Sequence, residues 1–358
     1  MRKLWNRQTN EVFGESGMFA DKDYVQLMFP ARKIRRVCCP ALNIEYVEGK
    51  DWCHEPGSGR IVRTAESAIP FWSDAALHPP DAESRYYPDP AANAVGGGLD
   101  GRNLRFDAGD LFARNQIEID YQAESIDYAV KLPEQTGRLP RFRERLKRPG
   151  AACRISWLGD SISEGYNASG YLHKPPFQPA FAELSAEGLR EAADVKVELL
   201  NRGLNGADSS YPLSRPEIFR GDHPDLLVIA FGMNDLLCDG GTAKYLDNIA
   251  EIIRLNREVS PETEYLLATP MTGNPMRNST KLELTAAFAR SLRGFAAECP
   301  ADTALADLTA VWCKFLERKN FFDLTGNGVN HPNDCGHRIL ASGILNVLAP
   351  DFFPFHEP

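Results

Sequence analysis

The stretch RISWLGDSISEG, residues 154–165, decides how the rest of the chain is read. Its first five residues form a short apolar-rich run that reads as a buried strand, and Gly159-Asp160-Ser161 then breaks it. A serine on such a turn stands above the end of a sheet with its Oγ exposed and its backbone N–H free. By itself Gly-Asp-Ser is a common tripeptide, and Ser161 alone reads equally well as a helix N-cap.

Working outward towards the C-terminus, further apolar runs recur at 195–201, 225–231, 265–269 and 303–308. Between them lie helical stripes: Phe177, Phe181 and Leu184; then Tyr245, Ile249, Ile252 and Ile253; then Leu284, Phe288, Leu292 and Phe295. A last helix is expected from about Asn333, carrying Ile339, Leu340, Ile344, Leu345 and Leu348. Strand and helix alternating five times imply a doubly wound parallel α/β sheet, whose site belongs at the carboxyl ends of its strands.

Working towards the N-terminus the texture changes near residue 150. Runs at 24–29, 33–38, 42–47, 60–63, 115–121 and 126–131 alternate apolar and polar residues between turn signals, the pattern of an all-β sandwich-like domain. A Pro- and Gly-rich stretch between Asp74 and Asn103 reads as a long surface loop. The expected organisation is an all-β domain at 1–132, a linker at 133–150 and an α/β domain at 151–358. Five Arg and one Lys fall between 138 and 148. They form either an anion-binding patch or, as the flanking Pro and Gly favour, a solvated linker.

Composition bounds the function. With 43% hydrophobic and 25% charged residues among 358, the chain has material for a substantial core. A net charge of −9 disfavours nucleic acid as the main partner. No apolar stretch reaches membrane-span length, the first residues lack a secretory apolar core, and the eight cysteines show no Cys-x-x-Cys spacing. These features together are read as cytoplasmic, without a membrane partner, a metal or an organic cofactor.

Three more motifs follow the later strands. Asn201-Arg202-Gly203-Leu204-Asn205-Gly206 offers a glycine N–H that can approach a substrate oxygen, though an ordinary turn explains it as well. Gly232-Met233-Asn234-Asp235 offers a side-chain amide donor, with a helix cap as the ordinary alternative. Asn330-His331-Pro332-Asn333-Asp334 offers a loop histidine able to take a proton from Ser161; an isolated loop histidine more often has a solvent or backbone partner.

Taken in this order, the four motifs resemble the SGNH, or GDSL-like, hydrolase superfamily across residues 153–349. The resemblance implies a flavodoxin-like sheet with Ser161 as nucleophile and His331 as general base and acid. It also implies an oxyanion hole of the Ser161 N–H, the Gly206 N–H and the Asn234 side chain. His337 is expected to be structural. One position departs: three residues before the histidine, where the family usually has an orienting aspartate, stands Gly328. Asp334, Asp323, Asn330 or a backbone carbonyl are the candidates to replace it, and Asp334 or a carbonyl is favoured. Activity is expected to fall below about pH 6–7 as the histidine protonates.

A β domain ahead of such a fold resembles two-domain carbohydrate esterases, which implies a small-acyl ester of a carbohydrate or glycoside as substrate. Trp52, Trp72, Tyr86 and Tyr87 can stack on a sugar or simply pack in a core, while Tyr166, Asn167 and Ser169 can line the pocket. The alternatives are a thioesterase or lysophospholipase, and a non-catalytic carbohydrate-binding protein on a degenerate scaffold.

Overall fold

A computed structural model of the chain describes residues 1–277 and 282–350. Its C-terminal half is built on five parallel strands: β11 (Ala152–Gly159), β12 (Lys196–Asn201), β13 (Leu226–Ala230), β14 (Glu264–Ala268) and β15 (Thr303–Ala306). Their order is β12-β11-β13-β14-β15, so the most apolar run lies at the centre and β11 and β13 are neighbours. This is the flavodoxin-like arrangement the alternation implies, and the chain reverses direction of winding after β12.

The N-terminal half carries ten strands. β1 (Trp5–Asn6), β2 (Glu11–Gly17), β4 (Ala31–Cys39), β5 (Ile44–Glu45) and β10 (Ile117–Ala123) form an antiparallel sheet ordered β1-β2-β10-β4-β5. A second sheet joins β3 (Tyr24–Gln26), β7 (Arg60–Arg63) and β6 (Trp52–Cys53), and β8 (Ala94–Val95) pairs with β9 (Leu104–Arg105). β2 is missing from the sequence reading, because its Glu15, Ser16 and two glycines mask the alternation, yet it lies beside the central strand. Conversely, 126–131 forms no strand. Two short helices, α1 (Asp74–Leu77) and α2 (Leu111–Asn115), sit in the long connection between β7 and β10.

Residues 133–150 contain α3 (Pro140–Leu146), with Leu139 and Phe142 fully buried. Its arginines are engaged. Arg138 donates to the carbonyls of Cys299 and Pro300, Arg143 to that of Val347, and Arg145 pairs with Asp225 at 2.8 Å. Two of them therefore satisfy carbonyls at helix C-termini, where cations are favoured.

The helices of the second half are α4 (Ser161–Glu164), α5 (Phe181–Ala193), α6 (Tyr211–Ser214), α7 (Glu217–Arg220), α8 (Gly241–Val259), α9 (Leu282–Glu298), α10 (Leu308–Leu316), α11 (Phe321–Leu324) and α12 (Asp334–Leu348). Phe177 lies outside α5, 60% exposed and at φ 59°, a left-handed backbone conformation incompatible with a right-handed helix. Helix α12 is buried along almost its whole length. No helix among the described residues is long and apolar enough to cross a membrane, and no group of three or more His, Cys, Asp or Glu among them is arranged to hold a metal.

One hydrophobic core runs from Leu4 through Ile119 and Trp157 to Leu348, so the two halves share it. Charged groups inside the junction are hydrogen-bonded across it. Lys319, with no side-chain exposure, donates to Glu15 at 2.9 Å and to the carbonyl of Gln26 at 2.7 Å. Glu15 also accepts from Tyr121 Oη and Met28 N, Asp323 accepts from Met18 N at 2.8 Å, and Arg338 donates to the carbonyls of Phe13 and Gly14. A buried ion left without its partner costs about 3–5 kcal/mol, which makes this junction intolerant of misdocking.

Candidate active site

Gly159 ends β11, and Asp160 turns the chain into α4 by accepting from Ile162 N at 2.9 Å. Burial pushes the Asp160 carboxyl up to about 7. Ser161 occupies the first position of this helix, where its N–H is one of the donors a helix cannot satisfy internally. Its side chain is buried, and its Oγ lies 2.9 Å from His331 Nε2.

The second turn docks on the first, and the third on the second. Leu204 N donates to the Gly159 carbonyl at 3.1 Å and Asn205 N to Glu164 Oε2 at 2.6 Å, which ties the turn after β12 to the nucleophile turn. Gly206 has φ +76°, a left-handed conformation suited to glycine, and its missing Cβ would face open space. Asn234 Nδ2 donates to the carbonyl of Ala207 at 2.8 Å, which fixes the amide plane and leaves its second N–H to point elsewhere. Buried Asp235 beside it accepts from the backbone and hydroxyl of Ser209.

His331 lies in a loop organised by one side chain. Asn327 Oδ1 accepts from Val329 N, Asn330 N and His331 N, and the Thr325 hydroxyl donates to the His331 carbonyl at 3.0 Å. Asn333 then caps α12 by accepting from Gly336 N. The Tyr166 ring meets the imidazole edge-on at 5.5 Å and leans on Tyr171 at 4.6 Å. Burial pushes the His331 imidazole down to about 4. His337 is buried inside α12, where its Nδ1 accepts from Phe181 N, so it is kept from the site by packing.

The expected orienting residue is corrected. Asp334 does not meet His331: its carboxylate accepts from Ser169 N at 2.8 Å and from the Ser169 hydroxyl at 2.6 Å, and burial pushes it up to about 6. Asp334 opens α12, so its side chain serves the loop packed against that helix end. Asp323 faces the N-terminal half, and Asn330 pairs with Asn327. The atom at His331 Nδ1 is Asn167 Oδ1, at 2.8 Å. Asn167 lies six residues beyond the nucleophile, a position with no motif to single it out; the vacancy at Gly328 signals only that some partner must come from elsewhere.

Of the four aromatics, Trp52 is a core residue and Trp72 packs on Phe112. Tyr86 and Tyr87 remain exposed, Tyr87 by 79%. They precede the β8–β9 hairpin, whose tip bonds the loop after β14 through Leu99 N and the Met276 carbonyl at 2.8 Å. That loop bears on the catalytic loop through Asn274, which donates its N–H to Val329 and its Nδ2 to Gly328.

A model of the GDSL-like Lipase/Acylhydrolase family matches residues 157–339, just over half of the chain. No curated protein matches it. Among solved structures, an acetylxylan esterase, Axe2, from Geobacillus stearothermophilus aligns at 16% identity over 59% of this chain and 99% of that one, with a TM-score of 0.47. LAE5, an alpha/beta hydrolase enzyme from the metagenome of Lake Arreo, Spain, aligns at 17% identity over 57% of this chain and 97% of its own, with a TM-score of 0.45. At these scores neither likeness carries an argument about substrate.

Proposed function

The chain belongs to the GDSL-like lipase/acylhydrolase family and is an ester hydrolase, and from that premise we propose that Ser161 and His331 perform the reaction on small-acyl esters of carbohydrates or glycosides. Ser161 Oγ attacks the ester carbonyl carbon while its proton passes to His331 Nε2. The negative oxygen of the tetrahedral intermediate is held by the N–H groups of Ser161 and Gly206 and by the Asn234 amide. Collapse breaks the bond to the alcohol oxygen, which takes the proton back from His331. Water then attacks the acyl-enzyme and gives a proton to His331; collapse breaks the bond to Ser161 Oγ, which takes that proton back as the acid leaves.

The observation that carries this reading is the 2.9 Å contact between Ser161 Oγ and His331 Nε2, beside a turn after β12 that is hydrogen-bonded both to the nucleophile turn and to the turn after β13. The small-acyl reading is supported by Tyr166 and Tyr171, which crowd the histidine side. For a sugar ester, the exposed Tyr86 and Tyr87 ahead of the β8–β9 hairpin offer flat faces to a ring.

Hydrolysis of 4-nitrophenyl acetate, butyrate and octanoate by wild type and Ser161→Ala tests the reading. Preference for acetate, lost in the variant, supports it and leads to acetylated sugars. Preference for octanoate transfers the assignment to a thioesterase or lysophospholipase, and equal rates in the two proteins remove Ser161 from the mechanism.

A further inference from the structure

A histidine base works only if its other ring nitrogen holds the proton, so that Nε2 presents a lone pair to the nucleophile. Here the group at Nδ1 is a side-chain amide whose orientation is forced. Asn167 Nδ2 lies 3.2 Å from the Gly109 carbonyl oxygen and 3.4 Å from that of Ala108. Turning the amide over would set its oxygen against both of these acceptors and its NH₂ against Nδ1–H. Asn167 Oδ1 therefore accepts, Nδ1 carries the proton, and Nε2 is left bare towards Ser161 Oγ. The residue is 5% exposed and sits at φ 63°, a conformation asparagine tolerates better than most residues.

Both carbonyls belong to the N-terminal half, in the segment between β9 and α2. The same strip of chain supports the catalytic loop from its other side. Asp107 N donates to the Asn327 carbonyl, and Gln116 Nε2 donates to the carbonyls of Phe322 and Thr325, each at 2.7 Å. It also occupies the room a carboxylate would need. A Cβ on Gly328 would stand 2.4 Å from the Arg105 carbonyl oxygen and 2.6 Å from the Phe112 ring.

We propose that Asn167, clamped by the N-terminal half, is the positioning residue that orients His331, in place of a carboxylate three residues before the histidine. The proposal rests on the Ser161–His331 reading above. A neutral amide fixes the ring and its tautomer but supplies no countercharge to the imidazolium. The titratable groups against the ring are Tyr166 and the buried, neutral His337, and among the described residues no carboxylate oxygen lies within 4.0 Å of a His331 ring nitrogen. Burial therefore acts on the imidazole unopposed and keeps it a free base into the acid range.

The test compares wild type, Asn167→Gly, Asn167→Asp and Ser161→Ala on 4-nitrophenyl acetate across pH, with melting curves for each. Glycine keeps the left-handed backbone and removes only the side chain. The expected result for it is a kcat lower by about 100- to 10,000-fold with KM within about threefold, and loss of the downfield Nδ1–H proton resonance. In Asn167→Asp part of the rate returns, and the acid limb of kcat/KM rises by about one pH unit or more, because a carboxylate beside Nδ1 favours the charged ring. A folded Asn167→Gly enzyme with kcat within about threefold of wild type overturns the proposal. Should that variant not fold, an unmoved acid limb in Asn167→Asp overturns it equally. Retained turnover in Ser161→Ala overturns instead the reading on which the proposal rests.

Discussion

The two edges of the His331 ring are served by different parts of the molecule. On the Nε2 edge everything comes from one sheet: three turns that follow adjacent strands β11, β12 and β13, linked through Leu204 N to the Gly159 carbonyl and through Asn234 Nδ2 to the Ala207 carbonyl. On the Nδ1 edge the partner is Asn167, and what holds Asn167 is the backbone of Ala108 and Gly109 from the other half. The reactive edge is thus self-contained, while the supporting edge depends on how two halves dock. Substitutions on the first edge should strike chemistry alone. Substitutions on the second should couple rate to the integrity of the junction.

The largest effect belongs to the reactive edge. His331→Ala should lower kcat/KM by about four to six orders of magnitude, and Ser161→Ala/His331→Ala should be no worse than either single change, since the two act as a unit. Asn234→Ala should lower kcat by about 100- to 1,000-fold with little change in KM, and loss of its bond to the Ala207 carbonyl should lower the melting temperature only slightly. On the supporting edge, Gln116→Leu leaves the buried carbonyls of Phe322 and Thr325 without their donor, at about 1–3 kcal/mol each. Its melting temperature should fall together with kcat, and a loss of rate without a loss of stability would break the comparison.

The smallest effect is a displacement in pH. An imidazole pushed down by burial binds its proton only at lower pH, so the free base persists as pH falls through 6.5 and is lost near 4. The acid limb of kcat/KM should therefore lie near pH 4–5, and a limb at 6–7 would show that a countercharge reaches the ring after all.

The legibility of the sequence divides along the same line. The strands of the parallel sheet are continuous apolar runs, so the sheet is legible in the sequence, while Ser161, Gly206, Asn234 and His331 are named only through the resemblance that their four motifs carry together. Asn167 belongs to no such motif. Its role depends on a left-handed backbone and on two carbonyls some 60 positions earlier, and asparagine after a turn is unremarkable by itself. Strand β2 was hidden for a related reason. Its Glu15 and Ser16 face inward to meet Lys319, Tyr121 and Asn333, so a buried polar network stands where the alternation needs apolar residues. Asp334, which the sequence favours together with a backbone carbonyl as the orienting group, is the first residue of α12 and is directed to Ser169 instead.

The account's central claim, that His331 activates Ser161 as a nucleophile, is tested most directly by covalent capture. Wild type, Ser161→Ala and His331→Ala would be treated with a fluorophosphonate and the adduct located by peptide mass spectrometry. The account predicts one adduct, on Ser161, absent from Ser161→Ala and formed far more slowly in His331→Ala. An adduct on another residue, or labelling of Ser161 at the wild-type rate without His331, would contradict it.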